Sequence, residues 1–178
     1  VKNVAILFAR RDSVYKSFEL ADVYDEERDA RNYRGGLPVV AHPPCRGWGR
    51  LRHLAKVQPG EIELASFAVD MVRRCGGVLE HPAGSKLWEV ENLPSPGHRD
   101  SFGGFTLPIY QSWFGHPCPK NTWLYIVGVE PSMIPSFPLL LGLPPGRVEL
   151  QSRPARENTP PPLAAWLFNL AVLCGSSK

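Results

Sequence analysis

With 178 residues, 43% hydrophobic and 21% charged, the chain suits one globular domain whose core needs no disulfide or metal staple. Nineteen prolines and 16 glycines exclude a helical bundle or coiled coil, and 18 aromatic residues exclude a disordered chain. The net charge of +3, with 14 arginines against 6 lysines, permits a nucleic-acid partner without requiring one.

Val4-Ala5-Ile6-Leu7-Phe8 is a short apolar run and predicts a buried strand. Residues 13–20 suit a short helix. Asp22 to Asp25 reads as a second strand ending in acids, and residues 25–34 as a charged connection. Gly35-Gly36 turns into a third strand over residues 37–42, stopped by Pro43-Pro44-Cys45. Residues 61–74 place apolar side chains at 62, 64, 65, 68, 69, 71 and 72, the spacing of a packed helix, and Gly76-Gly77 ends it. Val78 to Pro82 predicts a fourth strand with a polar end. Residues 84–112, rich in Gly, Pro and Ser, read as irregular. Trp123 to Val129 is the strongest strand signal, Pro131 to Arg156 reads as a Pro-rich loop, and Pro160 to Cys174 as a terminal helix capped by Asn158 or Thr159. Strands alternating with helices predict an α/β, Rossmann-like domain with a mostly parallel sheet over residues 1–178, without repeats or a second domain.

In such sheets ligands bind beyond the carboxyl ends of the strands. Asp25, then His42-Pro43-Pro44-Cys45, then Glu80-His81-Pro82 would meet there. Cys45 reads as a thiol presented by two prolines, against the alternative of an inert buried cysteine. Glu80 is its natural partner. The stretch from Arg46 to Lys56 holds four cations and no acid. Arg46, Arg50 and Arg52 suit phosphates and Trp48 a stacked base, against the alternative of a solvated loop. His42, Cys45, His81, His116 and Cys118 could converge on zinc, but their spacing matches no zinc template and no metal is assigned. Arg10 and Arg11 could hold a phosphate or be surface arginines. The four cysteines lie far apart with no CxxC pair, which suggests reduced thiols in a cytoplasmic protein. No signal peptide and no membrane-length apolar run is visible.

Pro43-Pro44-Cys45 resembles the nucleophile motif of the DNA cytosine-5 methyltransferases, and Glu80-His81-Pro82 resembles that family's Glu-Asn-Val motif with the Glu retained. Phe114-Gly115-His116-Pro117, with Lys120 through Gly128, resembles the later turn and Gln-x-Arg-x-Arg segment that lead into a strand ending in Gly. Asn158-Thr159-Pro160-Pro161 resembles the terminal Asn-x-Val-Pro motif. The resemblance implies Cys45 as a nucleophile adding to C6 of cytosine, Glu80 at N3, and Lys120 in place of one arginine. It implies S-adenosylmethionine as methyl donor, bordered by Phe8, Asp25, Pro43 and Asn158, and DNA as partner, as a flipped base or a single strand. The family's Phe-x-Gly-x-Gly loop is replaced by Ala9-Arg10-Arg11-Asp12-Ser13, and no glycine precedes Gly35. A target-recognition domain is absent from the pattern, as in a compact relative of phage or prophage type. The rival expectation is a relative that lost methyl transfer and binds nucleic acid or a nucleotide.

Overall fold

Apolar runs too short to cover themselves pair into one six-stranded sheet. The computed structural model describes residues 1–50, 52–139, 146–152, 155 and 157–176. The strands are β1 (Val4–Leu7), β2 (Ala21–Tyr24), β3 (Val39–Ala41), β4 (Gly77–Pro82), β5 (Phe105–Tyr110) and β6 (Asn121–Val127). The helices are α1 (Ile62–Cys75), the single turn α2 (Leu87–Val90) and α3 (Pro161–Ser176). The sheet order is β2-β1-β3-β4-β6-β5. Strands β1 to β4 are parallel, and β6 runs antiparallel to both β4 and β5.

Both faces are covered, which is why β1 and β3 read as unbroken apolar runs rather than alternating ones. Val4, Ile6, Val40 and Val78 join the core under α3, with Leu163, Leu167 and Leu170. Ala5, Leu7, Val39, Ala41 and Leu79 point the other way, against Ala65, Ala68, Val69 and Val72 of α1. α3 is apolar on nearly all sides because a second layer lies over it. Phe137 stacks on Trp166 at 5.3 Å, and the Trp166 indole donates to the Pro135 carbonyl at 3.1 Å.

Gly77 is the tightest backbone contact in the sheet. Its φ is +119°, and a Cβ there would lie 2.0 Å from the Val39 carbonyl oxygen. Gly76, also at positive φ, closes α1.

The structure departs from the sequence reading in three places. Residues 13–20 form a single 3-10 turn (Val14–Ser17), capped by Ser13, instead of a helix. Residues 84–112 are not irregular throughout: they hold α2 and β5. β5 contains Pro108, tolerated because β5 is an edge strand with one side free of ladder bonds. Finally, β6 is antiparallel: Tyr110 and Asn121 face each other in the ladder, and the connection over residues 111–120, which opens with a 3-10 turn (Gln111–Phe114), is shorter than a parallel crossover needs. The Pro-rich stretch expected over 131–156 falls partly outside the described residues; within them it carries 3-10 turns at Pro131–Met133 and Val148–Leu150.

Candidate active site

β2 lies on one side of β1, and β3 and β4 lie on the other. The order reverses between β1 and β3, and the crevice beyond that point is where open α/β sheets take ligands. The carboxyl ends of β1, β3, β4 and β5 and the start of β6 all reach this edge. Ala41 pairs with Leu79, so His42 and Glu80 leave adjacent strands together, and Glu80 faces Leu124 of β6.

The period of two along each strand puts one set of polar side chains on the α3 face. There they form a continuous chain of hydrogen bonds. The Tyr15 hydroxyl lies 3.1 Å from His42 Nε2, and His42 Nδ1 lies 3.2 Å from Glu80 Oε2. Gln111 Nε2 donates to Glu80 Oε1 at 2.9 Å and to Thr122 Oγ1 at 3.1 Å. Thr122 and Gln111 are buried, and Gln111 Oε1 has no partner among the described residues. Both Glu80 oxygens are thus oriented from opposite sides, while the carboxylate keeps 13% exposure at the crevice.

Burial pushes the Glu80 carboxyl up, but the bond from His42 and the charges of Lys120, His42 and His81 outweigh it and hold it near 2. Glu80 is therefore an acceptor carboxylate at neutral pH. Tyr15 is pushed far up by its burial and by the Glu80 charge, so it stays a neutral phenol. Cys45 follows on the loop after β3. Its thiol is pushed up first by the surrounding protein and then by Glu80, with Lys120 pulling the other way. Free Cys45 is thus a thiol poised beside a lysine rather than a preformed thiolate. Of the three expected catalytic residues, Glu80 and Lys120 act on the Cys45 thiol in opposite directions, and Lys120 also helps to hold Glu80 down.

His81 points to the opposite face from Glu80, fully buried. Burial pushes it down to about 4, against the Glu80 charge and the Pro44 carbonyl, leaving a neutral ring. His116 Nδ1 lies 3.1 Å from the Cys118 amide, inside a buried turn. Among the described residues no three His, Cys, Asp or Glu side chains converge as a metal set.

Two of the residues expected around S-adenosylmethionine, Asp25 and Phe8, are engaged by other side chains. Asp25 Oδ1 accepts from the Glu27 and Arg28 amides at 3.0 and 3.1 Å, and Oδ2 pairs with Lys16 at 2.6 Å. The Lys16 bond and those amides hold Asp25 near 2 and leave it capping a turn. Phe8 takes a φ of +63° and packs edge-on to Phe67, while Tyr15, 1% exposed, fills the space beside His42 with ring centroids 5.6 Å apart. Pro43 is buried and Asn158 exposed. With side chains where glycines would let a cofactor approach, this arrangement does not fit S-adenosylmethionine. Arg10 and Arg11 do not offer a free phosphate clamp. Arg10 bonds Asp12 at 2.9 Å and faces Glu157 at 3.6 Å, and Arg11 lies 3.3 Å from Glu27.

The basic loop is partly corrected. Trp48 is only 6% exposed and belongs to the core under α1, so it cannot stack on a base. A Cβ on Gly47 beside it would meet the tip of the Ile62 side chain at 2.3 Å, which would have to shift. Arg46 is tied to Glu61 at the start of α1 at 2.6 Å. Arg50 and Arg52 remain exposed, and the Arg50 stem lies over Gly84, just past β4. Gln111 and Thr122 were missed. Their signal was Gln111 in the turn before Lys120, legible only once β5 was known to end there.

The chain matches no family model, no curated protein and no solved structure.

Proposed function

We propose that the protein binds a pyrimidine base, of single-stranded nucleic acid or of a nucleotide, at the Cys45–Glu80 edge. The observation that carries this reading is Glu80: an ionised carboxylate almost removed from water, with one oxygen bonded to His42 and the other to Gln111. Such a group recognises N–H donors on a base edge. Cytosine offers its 4-amino hydrogens, and when protonated at N3 it offers two donors side by side. A carboxyl held near 2 leaves that proton on the base. Pairing with the cationic base edge also offsets the Glu80 charge, the second cause, after burial, that keeps the Cys45 thiol up. Arg50, Arg52 and Lys120 supply positive charge for the backbone.

The resemblance to the cytosine-5 methyltransferases supports the same two residues in the same roles. It favours a second reading, methyl transfer to C5 through a Cys45 adduct, because Cys45 and Glu80 follow adjacent parallel strands. That reading requires the Phe8–Tyr15 segment to rearrange.

Titration of dCMP and of a short cytosine-containing single strand tests the first reading. Glu80→Gln should weaken both by at least about tenfold, the loss expected for a hydrogen bond to a charged group. Equal binding by the variant would overturn it. For the second, a strand containing 5-fluorocytosine with S-adenosylmethionine should trap the wild type covalently and leave Cys45→Ser free; no adduct on the wild type would leave base binding alone.

A further inference from the structure

We infer that a cavity lined by Trp88 and Trp123 is a second base-binding subsite, which takes the base next to the one held at Glu80. The inference rests on the base-binding reading above and extends it to a strand of at least two nucleotides. The cavity has a volume of about 520 Å3 and is lined by Trp88, Glu89, Asn92, Leu93, Ser95 and Trp123. It is a shallow depression open to solvent, so an occupant would rest against its wall rather than be enclosed.

Three observations favour a nucleobase as occupant. First, the two indoles meet edge to face at 5.3 Å, and the Trp88 N–H donates to the Pro82 carbonyl at 2.8 Å. This fixes both rings, so a base stacking on the half-buried Trp123 costs little ordering. Base–aromatic stacking tolerates any sequence because every base has a flat face.

Second, the cavity adjoins the first site through the chain itself. Trp123 follows Thr122, the residue that closes the Glu80–Gln111 hydrogen-bond chain, and pairs with His81 next to Glu80. Successive residues of β6 face opposite sides, so Thr122 and Trp123 lie on the two faces of one ladder end. A strand crossing the rim at Pro82 and Asn121 would place one base on each face.

Third, the one acid that lines the depression is already paired, since Lys86 lies 2.7 Å from Glu89. The basic loop is anchored to this rim, because the Lys86 amide donates to the Trp48 carbonyl at 2.9 Å and Arg50 lies over Gly84. The loop expected to supply the stacking ring thus supplies phosphate contacts, and the ring comes from β6.

The test compares dCMP with the trinucleotide dT-dC-dT by calorimetric titration. Wild type should bind the trinucleotide more tightly. Trp123→Ala should weaken the trinucleotide by about tenfold or more and leave dCMP unchanged, while Trp123→Phe, which keeps a flat face, should retain most of the affinity. Ser95→Trp fills the cavity from an exposed position and should act like Trp123→Ala even if the latter folds poorly. Unchanged trinucleotide binding by Ser95→Trp overturns the subsite. Equal weakening of dCMP and trinucleotide by that variant also overturns it. Glu80→Gln separates the two readings. If it binds both probes as wild type does, the base site at Glu80 fails. If it weakens both while Ser95→Trp weakens neither, only the second subsite fails.

Discussion

Glu80 should make the protein's stability depend on pH in a way that one substitution removes. Its carboxyl is drawn down from the ordinary 4.5 to about 2 in the folded state, because the His42 bond and the Lys120, His42 and His81 charges exceed the cost of burial. A carboxyl depressed on folding stabilises the folded chain above its unfolded value, and that stability is lost as pH falls through the folded one. The difference corresponds to roughly 3 kcal/mol, present at neutral pH and lost between about pH 4.5 and 2. Glu80 is mostly buried, so solvent screening takes little from this figure. Asp25, Asp12, Asp29 and Glu89 are also drawn down, so the wild-type curve alone does not isolate Glu80. Glu80→Gln keeps the shape and cannot titrate. Urea midpoints of both proteins, measured at intervals from pH 7 to the lowest pH at which both still fold, give a difference curve. It should be flat above pH 5 and then fall towards zero or reverse, by a total of about 3 kcal/mol. A difference that stays constant from pH 5 downward would refute the claim that His42 and Lys120 hold an ionised Glu80.

The remaining expectations concern single residues. Alkylation of Cys45 by iodoacetamide, followed in a Cys75→Ser background by peptide mass, should be slow at pH 7 and rise at alkaline pH; Lys120→Met should move that rise to higher pH and Glu80→Gln to lower pH, and no shift in either variant would remove the proposed coupling. Gly77→Ala should cost on the order of 3 kcal/mol or more, or abolish folding, because the new Cβ would strike the Val39 carbonyl; a urea midpoint close to wild type would contradict the packing described. Arg50→Ala and Arg52→Ala should each lower the salt slope of single-strand binding by roughly 1, while Arg46→Ala, already paired with Glu61, should lower it less. Three equal slopes would mean that the Arg46–Glu61 pair opens on binding.

What could be read from the sequence was whatever short-range pattern decides. The apolar runs at β1, β3 and β4 and the spacing in α1 stand almost where the structure has them, because burial on both faces leaves no other use for such runs. β5 was hidden because Pro108 is a breaker everywhere except on an edge strand, and edge position is a property of the whole sheet. The direction of β6 was hidden for the same reason: a seven-residue apolar run is equally at home either way round until its partner is known.

The site divides along the same line. Cys45 and Glu80 were legible because each sits where a short strand ends, and strand ends in a parallel sheet collect at one edge. Trp48 misled because glycines on both sides suggest a mobile ring, whereas the ring packs into the core under α1. Gln111 and Trp123 belong to the part of the edge made by β5 and β6, which no local pattern places beside β4. The antiparallel addition is thus more than an ornament of the fold. Without it Glu80 would keep His42 alone and one oxygen would lack a donor. The parallel half supplies the reactive pair, and the β5–β6 half fixes the carboxylate and widens the surface on which a base can rest.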